Sequence, residues 1–187
     1  MAYTAPVDEK KLVEDLQNPA TASQAFQTLM RTYGEPMYWQ IRKLVASHDD
    51  ANDLLQNSFI KAWSNIANFR GDAKLSTWLY KIAVNESINF LNRERRRTGS
   101  PADGADDSFL LEKIEADPWF DGSELQKELL RAVAQLPEKQ KLVFNMRYFD
   151  DMKYEQISEI LGTSVGALKA SYHHAVKKIE AAISSLL

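Results

Sequence analysis

Residues 154–178 read Tyr-Glu-Gln-Ile-Ser-Glu-Ile-Leu-Gly-Thr-Ser-Val-Gly-Ala-Leu-Lys-Ala-Ser-Tyr-His-His-Ala-Val-Lys-Lys. Ile157, Ile160 and Leu161 recur at the spacing of one apolar helix stripe, and Gly162 suits the left-handed residue that ends a helix. Ser164 is a capping type, and Val165, Leu168, Tyr172, Ala175 and Ile179 form the inner stripe of a second helix behind it. Two amphipathic helices joined by a tight glycine turn outline a helix-turn-helix. The outer face of the second helix carries Lys169, Ala170, Ser171, His173, His174 and Lys177. The histidines are adjacent, so their side chains diverge by about 100° and do not make the i, i+4 pair that holds a metal.

Working outward, helical periodicity continues through the chain. Leu12 and Leu16 suggest a short opening helix, and Phe26, Leu29, Met30 and Tyr33 a second that stops near Gly34. Pro36 sits where the first turn of a new helix tolerates proline, ahead of Tyr38, Ile41, Leu44 and Val45. Asp49 or Asp50 is placed to cap a long helix with Leu55, Phe59, Ala62, Trp63 and Ile66 on one side. A loop around Gly71 follows, then a helix from about Thr77 that ends in Arg93, Arg95, Arg96 and Arg97. Leu125–Leu136 and Pro137–Tyr148 make two further helices before the helix-turn-helix. Nothing alternates with period two for long, so the fold is expected to be all-α.

Composition bounds the function. The 187 residues allow one domain or two small ones, and 44% hydrophobic residues suffice for a core. With no cysteine and only three histidines, disulfides and thiolate metal sites are excluded and no cofactor or metal is expected. The N-terminal residues lack an apolar signal core and no run approaches the roughly 20 apolar residues of a membrane span, so a cytoplasmic protein is expected. The net charge of −3 is unevenly spread. Residues 101–124 hold eight acids (Asp103, Asp106, Asp107, Glu112, Glu115, Asp117, Asp121 and Glu124) and one base, Lys113. The remainder has 22 bases and 18 acids, a net +4. Gly104, Gly122, Pro101 and Pro118 mark the acidic stretch as a linker, giving lobes at 1–98 and 125–187 and a tether at 99–124. Its apolar members Phe109, Leu110, Leu111, Ile114, Trp119 and Phe120 argue that part of the tether docks.

Three segments in order, DANDLLQNSFIKAW over 50–63, FRGDAKLSTWLYKIAVN over 69–85 and LPEKQKLVF over 136–144 ahead of the helix-turn-helix, resemble the extracytoplasmic-function sigma factors of bacterial RNA polymerase. The resemblance runs from about residue 22 to 180. It implies two partners, core RNA polymerase and promoter DNA. On the first helix it implies a polymerase-docking face at Asp50, Asp53, Leu54, Gln56 and Asn57. Asn52 and Asn57 stand where acids are common in the family, so that face is less charged than usual. The resemblance further implies that the loop around Phe69, Arg70 and Lys74 and the next helix, through Asn85, Asn89, Arg93 and Arg96, hold the separated non-template strand of the minus-ten element. Such recognition needs amides for base edges, aromatic or apolar walls for base faces and cations for phosphates. Asn85 matches the family's base-reading asparagine, and Asn89 replaces a usual aspartate.

The helix-turn-helix is then expected in the major groove of the minus-thirty-five element, with Lys169, Ala170, Ser171, His173, His174 and Lys177 facing DNA. Ser171 stands where the family usually has arginine, which removes a bidentate guanine contact. Family members are commonly restrained by an anti-sigma protein, which makes such a protein a candidate partner. A stand-alone helix-turn-helix regulator is the alternative, although it would not need the 50–85 segments. No nucleophile–base pair or phosphate-cradling glycine loop points to an enzyme.

Overall fold

The computed structural model describes residues 8–99, 108–116 and 123–184, and within these it contains helices and no strand. The order is α1 (Glu9–Gln17), α2 (Ala22–Val45), α3 (His48–Asn65), a 3-10 turn (Ile66–Asn68), α4 (Leu75–Thr98), α5 (Ser108–Glu115), α6 (Glu124–Ala134), α7 (Glu138–Phe144), a π-helical turn (Asn145–Phe149), α8 (Tyr154–Leu161) and α9 (Val165–Ser184).

Local chemistry explains most of the boundaries. Asp8 accepts the N–H groups of Lys10 and Lys11 at the start of α1. Ser123 and Gln126 form a reciprocal capping box at α6. α4 ends on Gly99 at φ 74° and α8 on Gly162 at φ 64°, a left-handed conformation that costs glycine nothing. Ser164 Oγ accepts the Ala167 N–H at 3.4 Å and caps α9, as expected of that serine.

Two expectations are corrected. α2 does not break at Gly34 or restart at Pro36, but runs unbroken through both. Leu29, Tyr33, Met37, Ile41 and Leu44 are all buried at three- and four-residue spacing, so one continuous stripe carries the helix past both breakers. Neither Asp49 nor Asp50 caps α3. Ser47 does, accepting the Asp50 N–H at 3.3 Å, and the two aspartates lie in the first turn, where they favour the positive end of the helix dipole.

The segment read as a tether is not bare spacer throughout. It contains α5, whose Phe109, Leu110 and Ile114 are buried, while Trp119 and Phe120 lie outside the described residues. Lys113 pairs with Asp50 at the start of α3 at 2.5 Å and lies 4.9 Å from the ring centre of Phe90 on α4. On the other side Glu115 pairs with Arg131 of α6 at 3.4 Å. α5 therefore joins the first four helices to the last four.

Those two groups also meet directly. Met152, Ile157, Ile160 and Leu168 share one apolar core with Leu29, Met37, Leu79 and Leu91, whereas Val133, Leu136, Phe144, Ala175 and Ile179 form a second cluster around α9. The Arg95 guanidinium, 1% exposed, pairs with Glu138 at 2.5 Å. Lys43 of α2 pairs with Asp150, and burial pushes that carboxyl above its ordinary range while the lysine pulls it back down.

Candidate nucleic-acid interface

Asn85 and Asn89 lie four apart on α4 and are both exposed, so they stand one turn above the other on the same face. They line a groove of about 530 Å³ with Lys61, Asn65, Asn68, Trp78, Ile82, Glu86 and Ile88. Amides and apolar walls thus stand together, the combination that an unpaired base requires. Trp78 is half-buried, with the Phe69 ring against it at 5.1 Å between centres, and so serves the core and the groove wall at once. Lys61 and Glu86 pair across the groove. Asn65 donates to the Lys61 carbonyl at 2.8 Å, which fixes its amide.

The loop residues expected to share this site point elsewhere. Arg70 and Lys74 are exposed and line a separate cleft of about 990 Å³ between α1 and the start of α8, where Lys153, Gln156 and Glu159 face it. Phe69 is the link, since its ring reaches Trp78 and the residue also lines that second cleft.

The arginine run divides by neighbour. Arg93 and Arg96 are exposed, and Arg96 is steadied by donating to the Asn92 carbonyl at 3.1 Å. Arg97 pairs with Glu94 at 2.9 Å. Arg95, in the same run, is instead buried against Glu138 of α7. Of these four arginines, Arg93 and Arg96 face solvent without an ion pair to a carboxylate among the described residues.

On α3, Asp53, Gln56 and Asn57 are exposed together and form the outer face expected of them. Leu54 does not join them. It is 3% exposed, because Ala51, Leu54, Ser58 and Ala62 are the inward stripe of α3. Asp50 is partly covered by its pair with Lys113. Ile60, at 63% exposure, extends the outer face and was not singled out by the sequence, where an apolar residue at that spacing reads as core.

α9 presents Ala167, Lys169, Ala170, His173, His174 and Lys177 to solvent, with Ser171 half-buried. Behind them Leu168, Ala175 and Ile179 are buried and Tyr172 stacks on Phe144 at 5.9 Å between ring centres. The Lys169 ammonium lies 5.7 Å from the ring centre of Tyr154, a cation–π contact that narrows where its long stem can swing. The His173 and His174 rings are 6.1 Å apart and tilted by 56°. No cluster of three or more histidine and acidic side chains suited to a metal occurs among the described residues. No described helix is long and apolar enough to cross a membrane.

Sequence reasoning missed Asn65, Asn68 and Lys61. Their signal was a polar pair three apart at the end of α3, which does not differ from any solvated helix end until α4 is laid beside it.

Residues 29–97 match the Sigma-70 region 2 model and residues 126–179 the Sigma-70 region 4 model. The RNA polymerase sigma-H factor of Pseudomonas aeruginosa is 30% identical over 186 residues, spanning 96% of this chain and 95% of that protein. The ECF RNA polymerase sigma-E factor of Haemophilus influenzae is 31% identical, over 96% of this chain and 97% of its own. The fold is similar to that of the sigma factor RpoE in complex with the anti-sigma factor NepR from Bartonella quintana, at a TM-score of 0.67 and 20% identity over 85% of this chain and 96% of that one. It is similar also to CnrH in complex with the cytosolic domain of CnrY, at 0.69 and 19% over 95% and 97%.

Proposed function

The chain belongs to the extracytoplasmic-function sigma factors, and from that premise we propose that its two DNA-reading tasks fall to the Asn85 groove and the outer face of α9. A sigma factor binds core RNA polymerase, directs it to specific promoters and assists melting, and this chain does the same. The lobe at 1–98 then takes polymerase and the melted minus-ten strand, the segment 99–124 joins, and the lobe at 125–187 takes the minus-thirty-five duplex.

The observation that carries the division is the contrast between the two surfaces. The Asn85 groove is a concave site walled by Trp78, Ile82 and Ile88 with the amides of Asn68, Asn85 and Asn89 at hand. Only a base freed from its partner offers an edge and a face to such a site. The face of α9 is convex and carries cations and small residues, which suits a major groove. Ala167 and Ala170 allow close approach to thymine methyls, and Lys169 takes the part that arginine plays elsewhere in the family. Arg93 and Arg96 supply phosphate contacts along the melted strand.

Asp53, Gln56 and Asn57 supply the polymerase-docking face, with few charges and therefore a modest salt dependence. An anti-sigma protein is the natural competitor for that face. Binding and strand separation are the chain's contribution, and bond formation is left to polymerase. A stand-alone regulator would have no use for the Asn85 groove. Transcription from a defined promoter by purified core polymerase, with and without the protein, tests the function: specific initiation should appear only when it is present. Promoter binding without any stimulation of initiation would favour the stand-alone regulator.

A further inference from the structure

α1 lies outside both matched segments, yet it holds both ends of the loop that leads into α4. Leu12 and Leu16 bury one face of α1 in the core. From its last residue, the Gln17 amide Nε2 donates to the Ile66 carbonyl at 3.0 Å and to the Phe69 carbonyl at 2.9 Å. One side chain thereby closes both sides of the 3-10 turn that carries Asn68. From its first residue, the Glu9 carboxylate accepts the Leu75 N–H at 3.3 Å through Oε2 and the Tyr33 hydroxyl at 2.9 Å through Oε1.

The Leu75 N–H is one of the open donors at the start of α4, where Lys74 gives no side-chain cap, so Glu9 acts as that cap from a distance. Burial and the bond to Glu9 both push the Tyr33 hydroxyl upward, so it stays a donor and keeps Glu9 in place. Glu9 and Gln17 are eight residues apart, about 12 Å along the helix axis, and so grip the loop at two separated points. The grip reaches the groove through Phe69, whose backbone Gln17 holds and whose ring rests on Trp78.

We propose that α1 is a positioning element for single-strand capture: Gln17 and Glu9 fix residues 66–75 so that Asn68, Phe69 and Trp78 stand ready to receive an unpaired base beside Asn85. The role rests on the Asn85 groove being the single-strand site. Preorganisation of this kind lowers the ordering cost of binding without any contact between α1 and DNA.

The test uses the full-length protein in complex with core polymerase. Its probe is a single-stranded non-template oligonucleotide from a promoter it transcribes, with 2-aminopurine placed at each minus-ten position in turn. Gln17→Met, Glu9→Gln, Asn85→Ala and the double variant Gln17→Met/Asn85→Ala are compared for oligonucleotide affinity, 2-aminopurine emission, duplex binding and thermal midpoint. Gln17→Met and Glu9→Gln should each weaken single-strand binding by about fivefold or more and shift the emission of the captured base, with duplex binding unchanged. The double variant should lose much less than the product of its single losses, because both residues act on one site. Gln17→Lys, which keeps a donor, should restore most of the affinity.

A lowered midpoint with unchanged single-strand affinity in Gln17→Met would overturn the proposal, as would full additivity with Asn85→Ala. If Asn85→Ala itself left single-strand binding intact, the groove would be the wrong site and the positioning role would fall with it.

Discussion

Asn85 and Lys169 are single side chains on helices of different lobes, and each has a surrounding that sets what it can read. Asn85 stands on a groove wall with Asn89 a turn away, and in the proposed role its amide meets a base edge only after the duplex opens. Asn85→Ala should slow open-complex formation by an amount equivalent to about 1–3 kcal/mol while polymerase association stays intact. Permanganate footprinting of the melted thymines is the direct measurement. Lys169 has its ammonium over the Tyr154 ring at 5.7 Å, which restricts a flexible stem before DNA arrives. Tyr154→Leu should therefore weaken duplex promoter binding by up to about 1 kcal/mol without touching DNA itself. Titration of a duplex carrying the minus-thirty-five element, for wild type and variant, checks this, and equal affinities would show that the ring does not steady the lysine.

At the scale of elements, α2 is the instructive case. Gly34 and Pro36 are strong local breakers, and a buried stripe from Leu29 to Leu44 outweighs them. The cost persists at Pro36, whose missing N–H leaves the Thr32 carbonyl without its usual intrahelical donor. Pro36→Ala should raise stability by about 1–3 kcal/mol in urea unfolding, and a loss would mean that the proline holds a bend the core requires.

The same comparison shows which elements were legible in the sequence. α8 and α9 were, because Ile157, Leu168, Ala175 and Ile179 repeat at a spacing that only a helix can bury on one side. Leu54 was legible too had its own period been followed, since Ala51, Leu54 and Ser58 form one inward row. Arg95 was not, because what distinguishes it from Arg93 and Arg96 is Glu138, 43 residues away in the chain. The exposed α9 side chains of the candidate site followed directly from amphipathic spacing. The groove partners Asn65 and Asn68 did not, since a wet helix end becomes a wall only when a second helix lies across from it. α5 lay between these extremes. Its acids marked a linker, while its apolar residues Phe109, Leu110 and Ile114 marked a face to be buried. Leu110→Ala should cost about 2–5 kcal/mol of whatever that docking contributes, visible as faster cleavage within 99–124 in limited proteolysis.

For the whole molecule, the polar contacts between lobes include, among the described residues, Arg95 with Glu138, Lys43 with Asp150, the Asn145 amide donating to the Lys43 carbonyl at 3.5 Å, and the bridge through α5 from Asp50 to Arg131. Glu138→Ala removes a carboxylate from a guanidinium that is 1% exposed, so the arrangement in which α4 and α7 meet should become less favourable by an amount on the order of 1–3 kcal/mol. Small-angle scattering should then report a larger radius of gyration than for wild type, and an unchanged radius would mean that the shared apolar core holds the lobes by itself. Parting the lobes would also release Asp50 from Lys113 and present the α3 face whole. The central claim, that one lobe reads melted DNA and the other reads duplex, is tested most directly by measuring holoenzyme affinity on two templates. One is a closed duplex promoter held at a temperature below melting, and the other a single-stranded minus-ten oligonucleotide. Asn85→Ala should lose affinity for the single strand and keep it for the duplex, and Lys169→Ala should do the reverse. Equal losses for both variants on both templates would contradict the division.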